Sequence, residues 1–206
     1  MSAKIPIAVL LSGRGSNMRA LATAAASPDF PARIALVASD RADAPGLNFA
    51  RQNDLNAHVL DRGTAHGRGS FDAAIDAAVR GSGAELICLA GFMRILGPGL
   101  VNAWHGRIIN IHPSLLPLYP GLDTHARALA DGVKLHGCTV HHVTEGVDEG
   151  PIIAQAALTV SRSDTADTLA ARVLTLEHQL YPAALAAHLT GNDLPEQKAA
   201  IFSLPV

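Results

Sequence analysis

Short apolar runs rich in Val and Ile alternate along this chain with Ala-rich segments of helical period. Such a chain builds a mostly parallel central sheet with helices on both faces, so the predicted class is α/β. Strands are expected over residues 5–12, 33–39, 57–60, 85–90, 107–111, 137–143 and 152–160, about seven in all. The runs Ile7-Ala8-Val9-Leu10-Leu11 and Leu86-Ile87-Cys88-Leu89-Ala90 are apolar without interruption, which fits strands covered on both sides. Helices are expected over 17–26 behind a Gly-rich turn, over 46–53 behind Asp43 and Pro45, and over 71–80 with Ser70 as cap. A longer segment, 164–188, carries Leu169, Val173, Leu176 and Leu180 at spacings of four, three and four, a stripe that faces the core. Pro182 interrupts it, so a kink or break near Tyr181 is predicted. Residues 191–206, with Pro195 and Pro205, read as a C-terminal hairpin or a loosely docked tail.

No internal repeat, linker or low-complexity stretch divides the chain, and residues 1–206 are expected to form one domain. A domain of that length buries roughly 70% of its unfolded surface and needs neither disulfide nor metal to fold. One region differs from the rest. Residues 92–123 hold Pro98, Pro113, Pro117 and Pro120 together with Gly97, Gly99, Gly106 and Gly121. So many turn formers after buried strands predict loops at the carboxyl edge of the sheet, where open α/β domains place their ligands.

Composition narrows the partners. Sixteen Lys and Arg against eighteen Asp and Glu leave a net charge of -2 with no block of like charge, so no nucleic-acid partner is expected. Cys88 and Cys138 each sit inside an apolar run, as buried thiols do, which suits a reducing, cytoplasmic setting. Lys4 precedes an apolar stretch that runs straight into Gly13 and Gly15 without a cleavage site, the pattern of a first strand rather than a signal peptide. No apolar run approaches the ~18 residues of a membrane helix. The ten histidines show none of the paired spacings of a metal site, and His141 and His142, adjacent in a strand, face opposite sides.

Three motifs carry candidate chemistry. Ser12-Gly13-Arg14-Gly15-Ser16-Asn17 joins a strand to a helix, where unpaired N–H groups and the helix dipole favour a phosphate. A plain glycine turn with a Ser or Asn cap would read the same way. Asn110-Ile111-His112-Pro113 ends a strand, and the two-residue period puts Asn110 and His112 on one side. A lone His there is more often a satisfied core residue, but an amide N–H beside an imidazolium can stabilise an oxyanion. The polar stretch 143–151 is by itself a hairpin turn; if it folds over the sheet edge, Asp148 would raise the pKa of His112 and keep it protonated near neutrality.

Taken in order, Ser12–Asn17, Ala90-Gly91-Phe92-Met93-Arg94-Ile95-Leu96, Asn110-Ile111-His112-Pro113-Ser114-Leu115-Leu116-Pro117, Tyr119-Pro120-Gly121 and Asp148-x-Gly150-Pro151 resemble the glycinamide ribonucleotide formyltransferases of the folate-dependent formyltransferase superfamily. The resemblance implies a Rossmann-like formyltransferase fold, with residues 1–100 mainly serving the ribonucleotide and 90–190 mainly the folate and the chemistry. It implies Gly15, Ser16, Asn17 and Glu177 at the ribonucleotide, and Arg68, Met93, Arg94, Ile95, Leu96, Asn110 and Thr144 at the folate. It gives Asn110, His112 and Asp148 the catalysis, with 10-formyltetrahydrofolate as co-substrate, no metal, and a monomer or homodimer. Arg14, Asp123 and Glu149 are departures near the site that remove no matched residue.

Other readings make different demands. A formyl-folate hydrolase would share the Asn, His and Asp set, but it is expected to lack the phosphate loop and to carry a regulatory domain ahead of the first strand. A methionyl-tRNA formyltransferase would be expected to add an RNA-binding domain. A non-catalytic nucleotide binder would not need Asn110, His112 and Asp148, and a dehydrogenase would want G-x-G-x-x-G after the first strand.

Overall fold

In the computed structural model, which describes residues 3–60 and 68–192, the seven apolar runs form one sheet in the order β3-β2-β1-β4-β5-β6-β7. The strands are β1 (Ile5–Leu11), β2 (Ala32–Ser39), β3 (Ala57–Val59), β4 (Leu86–Leu89), β5 (Ile108–His112), β6 (Leu135–His142) and β7 (Ile152–Thr159). The first five are parallel, and β6 and β7 run antiparallel to their neighbours. Helices α1 (Ser16–Ala26), α2 (Pro45–Gln52), α3 (Arg68–Gly81), α4 (Pro98–Ala103), α5 (Thr124–Ala130) and α6 (Ala166–Thr190) complete it. Alternate residues of β1 reach different cores. Ile7, Val9 and Leu11 pack with Met18 of α1 and Val173 of α6, whereas Ala8 and Leu10 pack with Ile75 and Val79 of α3 and with Trp104.

The chain leaves β1 toward β2 and β3, then returns on its other side to β4. Connections therefore diverge between β1 and β4 and open a crevice at their carboxyl ends. Beyond it, the antiparallel β6 sets His141 opposite Asn110 and Thr139 opposite His112. The fold thus brings a phosphate-type loop and a histidine-bearing strand to the same edge.

Several expectations are corrected. Ser70 lies inside α3 rather than capping it, because the helix starts by Arg68. Residues 98–103 within the predicted loop region are helical: Pro98 supplies the fixed φ of a first turn, and Gly97 N–H is held by Asp72 Oδ2 at 2.8 Å. α5 is likewise too short to show a period, and no element was predicted there. Pro182 does not break α6. Leu180, Tyr181, Ala184 and Leu185 are buried on both sides of it, and this packing outweighs one missing backbone hydrogen bond. The predicted tail, 191–206, lies outside the described residues from 193 onward.

Tyr181 also ties α6 to the sheet. Its buried hydroxyl donates to Leu89 O at 3.0 Å, with Ile109 O at 3.3 Å. Tyr181→Phe is expected to cost about 1–2 kcal/mol, the worth of one buried hydrogen bond. A urea denaturation midpoint indistinguishable from wild type would show that this bond contributes nothing.

Candidate active site

Gly15 caps α1 in the left-handed region, at φ 72°. A Cβ there would meet Gly46 Cα at 2.9 Å, so the loop lies directly against the start of α2, and Gly46 N–H donates to Gly13 O at 3.1 Å. No side chain caps α1. Its first N–H groups therefore stay available to an anion. Behind them, Asn17 Nδ2 donates to Glu177 Oε2 at 2.6 Å, and both side chains are buried. Burial raises the Glu177 pKa, opposed by the Asn17 N–H. Asn17 Oδ1 is buried with no hydrogen-bond partner among the described residues, an acceptor that a donor on a ligand would satisfy.

The loop is also tied to β4's exit, because Ser12 N–H donates to Gly91 O at 3.0 Å and Ser12 Oγ accepts from Met93 N–H at 2.8 Å. Following Met93, Arg94 Nε donates to Asp40 Oδ2 at 2.8 Å and its guanidinium lies over Phe71. Met93 and Ile95 are exposed, at 67% and 59%, and so present apolar surface to any ligand. Leu96 instead packs into the core with Phe92 and Leu100. Arg68 begins α3, and its side chain lies outside the described residues.

At the end of β5, Asn110 and His112 meet the loop that follows β6. His112 Nδ1 lies 3.3 Å from Asp148 Oδ2, so the carboxylate does reach the imidazole. The opposite nitrogen donates to Tyr119 O at 2.9 Å, since a carbonyl can only accept. Gly121 N–H donates to Asp148 Oδ2 at 2.9 Å, so the 119–121 turn touches both partners. Thr144 stands half-buried on the same loop as Asp148. From below, buried Thr139 and Ser114 pin the segment after His112: Thr139 Oγ1 donates to Ser114 O and accepts from Leu116 N–H.

One residue at the centre was not singled out in the sequence. His141 Nε2 lies 3.1 Å from Asn110 Nδ2, which can only donate. That ring then carries its proton on Nδ1, which donates to His142 O at 2.9 Å. Among the described residues the second amide hydrogen of Asn110 has no partner. His141 Nε2 is also 3.6 Å from Asp148 Oδ1 and bonds it only when the ring is protonated. The opposite facing of the two adjacent histidines holds, for His142 turns away to pack edge-on against His188 of α6.

Electrostatically, the expectation for His112 changes. Burial pushes its pKa below the ordinary value, and this outweighs the Tyr119 carbonyl and the Asp148 charge, which raise it. Asp148 moves the other way relative to its burial. Desolvation would raise it, but a hydrogen bond from His141 when that ring is protonated, the Gly121 N–H and the His112 charge together lower it. The carboxylate therefore stays ionised and lies 3.3 Å from the His112 imidazole.

The site's architecture has relatives. The formyl transferase family matches residues 5–185. Phosphoribosylglycinamide formyltransferase of Escherichia coli is 41% identical over 204 residues, covering 93% of this chain and 96% of that protein. The trifunctional purine biosynthetic protein adenosine-3 of Gallus gallus is 46% identical over 182 residues, covering 88% of this chain but 18% of that longer protein. The crystal structure of phosphoribosylglycinamide formyltransferase from Brucella melitensis superposes with a TM-score of 0.87 at 48% identity, covering 99% of this chain and 100% of that one. Glycinamide ribonucleotide transformylase 1 from Symbiobacterium toebii gives 0.88 at 46% identity, over 91% and 89%. The chain belongs to the formyl transferase family.

Proposed function

We propose that this chain transfers the formyl group of 10-formyltetrahydrofolate to the amine of glycinamide ribonucleotide, releasing tetrahydrofolate and formylglycinamide ribonucleotide, as a step of purine biosynthesis. One observation carries the reading beyond family membership. An uncapped helix start at Gly15–Asn17 and a histidine–carboxylate pair at His112 and Asp148 stand at the same carboxyl edge of one sheet.

The ribonucleotide phosphate takes the N–H groups of Gly15 and Ser16, and Asn17 with Glu177 takes its sugar. The folate lies against Met93, Arg94, Ile95 and the backbone of Leu96, with Arg68, Asn110 and Thr144 completing the pocket. As the amine attacks the formyl carbon, the second amide hydrogen of Asn110 meets the developing oxyanion. Protonated His112 stabilises the same charge and gives a proton to the folate nitrogen as its bond to the formyl carbon breaks, and the proton lost by the attacking amine restores the charged imidazole. Asp148 orients His112 and favours its charged form. No covalent bond to the protein is needed, since holding two substrates side by side supplies much of the rate. A reducing, cytoplasmic compartment suits the buried free thiols Cys88 and Cys138.

The direct test mixes the purified protein with 10-formyltetrahydrofolate and glycinamide ribonucleotide and follows folate deformylation. Ribonucleotide-dependent deformylation is expected. Deformylation of equal rate without the ribonucleotide marks a hydrolase, and none in either case rejects the reading.

A further inference from the structure

We propose that Arg127, which stands outside the substrate pocket assigned above, is a positioning residue: its guanidinium holds the 119–121 turn whose backbone fixes both His112 and Asp148. This rests on the roles given to that pair under the proposed function. Arg127 is exposed on α5, and its Nη1 donates to Pro120 O at 2.6 Å, with Leu122 O at 3.3 Å. Its guanidinium carbon stands 5.4 Å from the centre of the Tyr119 ring. Its hydrogen bonds thus go to the carbonyls of the turn rather than to Asp123 or Asp131, four residues away on either side.

The turn needs holding. Tyr119, Gly121 and Asp123 have φ of 56°, 77° and 57°, left-handed backbone that the two residues with a Cβ adopt only when their surroundings impose it. From inside, Ser114 Oγ donates to Leu118 O at 2.6 Å. From the solvent side, Arg127 closes on the Pro120 and Leu122 carbonyls. Between those two grips lie Tyr119 O, which accepts from His112, and Gly121 N–H, which donates to Asp148. A shift of the turn therefore moves both members of the pair at once, and small displacements of this kind cost rate far more than binding.

Position and charge make opposite predictions for pH dependence. The groups facing His112 are Asp148 on the loop after β6, His141 and His136 on β6, and Arg127 and His125 on α5. The Tyr119 carbonyl and Asp148 support the protonated ring, whereas the Arg127 charge opposes it. If Arg127 acted only through its charge, removing it would raise the His112 pKa. Loosening the turn lowers it. Activity that needs protonated His112 is lost as pH rises through that pKa, so the alkaline limb of the kcat profile reports the direction.

Arg127→Ala is expected to lower kcat about tenfold, with KM for both substrates within about threefold. Its alkaline limb is expected to move to lower pH, and added guanidinium ion and Arg127→Lys are each expected to restore part of kcat. The melting temperature is expected to stay within about 2 °C of wild type. Unchanged kcat, a limb that moves to higher pH, or a loss of kcat that tracks the unfolded fraction overturns the proposal. His112→Ala run alongside separates the two levels: if it keeps wild-type turnover, the underlying reading fails, whereas an inactive His112→Ala with an unaffected Arg127→Ala rejects the Arg127 role alone.

Discussion

Replacing His112 with alanine is expected to lower kcat by roughly two to four powers of ten while leaving KM for either substrate within about fivefold. The imidazole is 6% exposed and held on both nitrogens, so its orientation is set before any ligand arrives. What alanine removes is the ring that carries charge and a proton beside Asp148, not a wall of either binding pocket. Its neighbours imply a second, graded loss. Asp148→Asn keeps the volume and the Gly121 contact but removes the charge that supports protonated His112. Because burial already lowers the His112 pKa, that loss is expected to leave the ring neutral over more of the working pH range. Turnover should then fall by a comparable factor, most steeply at the alkaline end. Steady-state kinetics on both variants, with circular dichroism to confirm folding, decide the matter: near-wild-type kcat in both would sink the assignment.

The second large effect is expected at Gly15→Val, and it should be felt in stability and in binding together. The left-handed φ of 72° costs a non-glycine residue about 1–2 kcal/mol, and a β-branched side chain more. In addition, the new Cβ would lie 2.9 Å from Gly46 Cα, 3.2 Å from Leu11 Cδ2 and 3.3 Å from Met18 Cε. Backbone cannot yield as a flexible side-chain tip can, so the loop must lift away from α2 and the N–H groups of α1 lose their common aim. Affinity for glycinamide ribonucleotide should drop at least tenfold, a loss of about 1.4 kcal/mol. Gly13→Ala supplies the contrast, since a Cβ there meets nothing within 4 Å. Its melting temperature should remain near wild type. An unaltered calorimetric Kd for the ribonucleotide in Gly15→Val would remove the phosphate role from this loop.

Different parts of this molecule were legible to different degrees. Strands β1 and β4 could be read from their uninterrupted apolar runs, because a strand covered on both faces leaves no polar position to confuse the period. Asn110 and His112 could be placed on one side of β5 for an equally local reason, the alternation of a pleated strand. Local rules failed where packing had the larger say. Pro182 sits in a continuous α6 because Tyr181 and Ala184 are fully buried around it, and Ser70 lies within α3 rather than at its edge. α4 and α5, of six and seven residues, are shorter than two helical turns and leave no period to detect.

At the candidate active site the division is sharper. The pleat alone put Asn110 and His112 on one side of β5, but it took the family resemblance to single out the loop at Gly15 and the acid Asp148, each of which reads locally as a plain turn. Folding alone could bring in His141, which joins Asn110 through an antiparallel register spanning 31 residues. The same holds for the Tyr119 carbonyl and Gly121 N–H, backbone groups that any sequence would carry. It holds most of all for the charge on His112. Proximity to Asp148 pointed upward, but desolvation depends on how many atoms from distant segments surround the ring, and burial lowers its pKa.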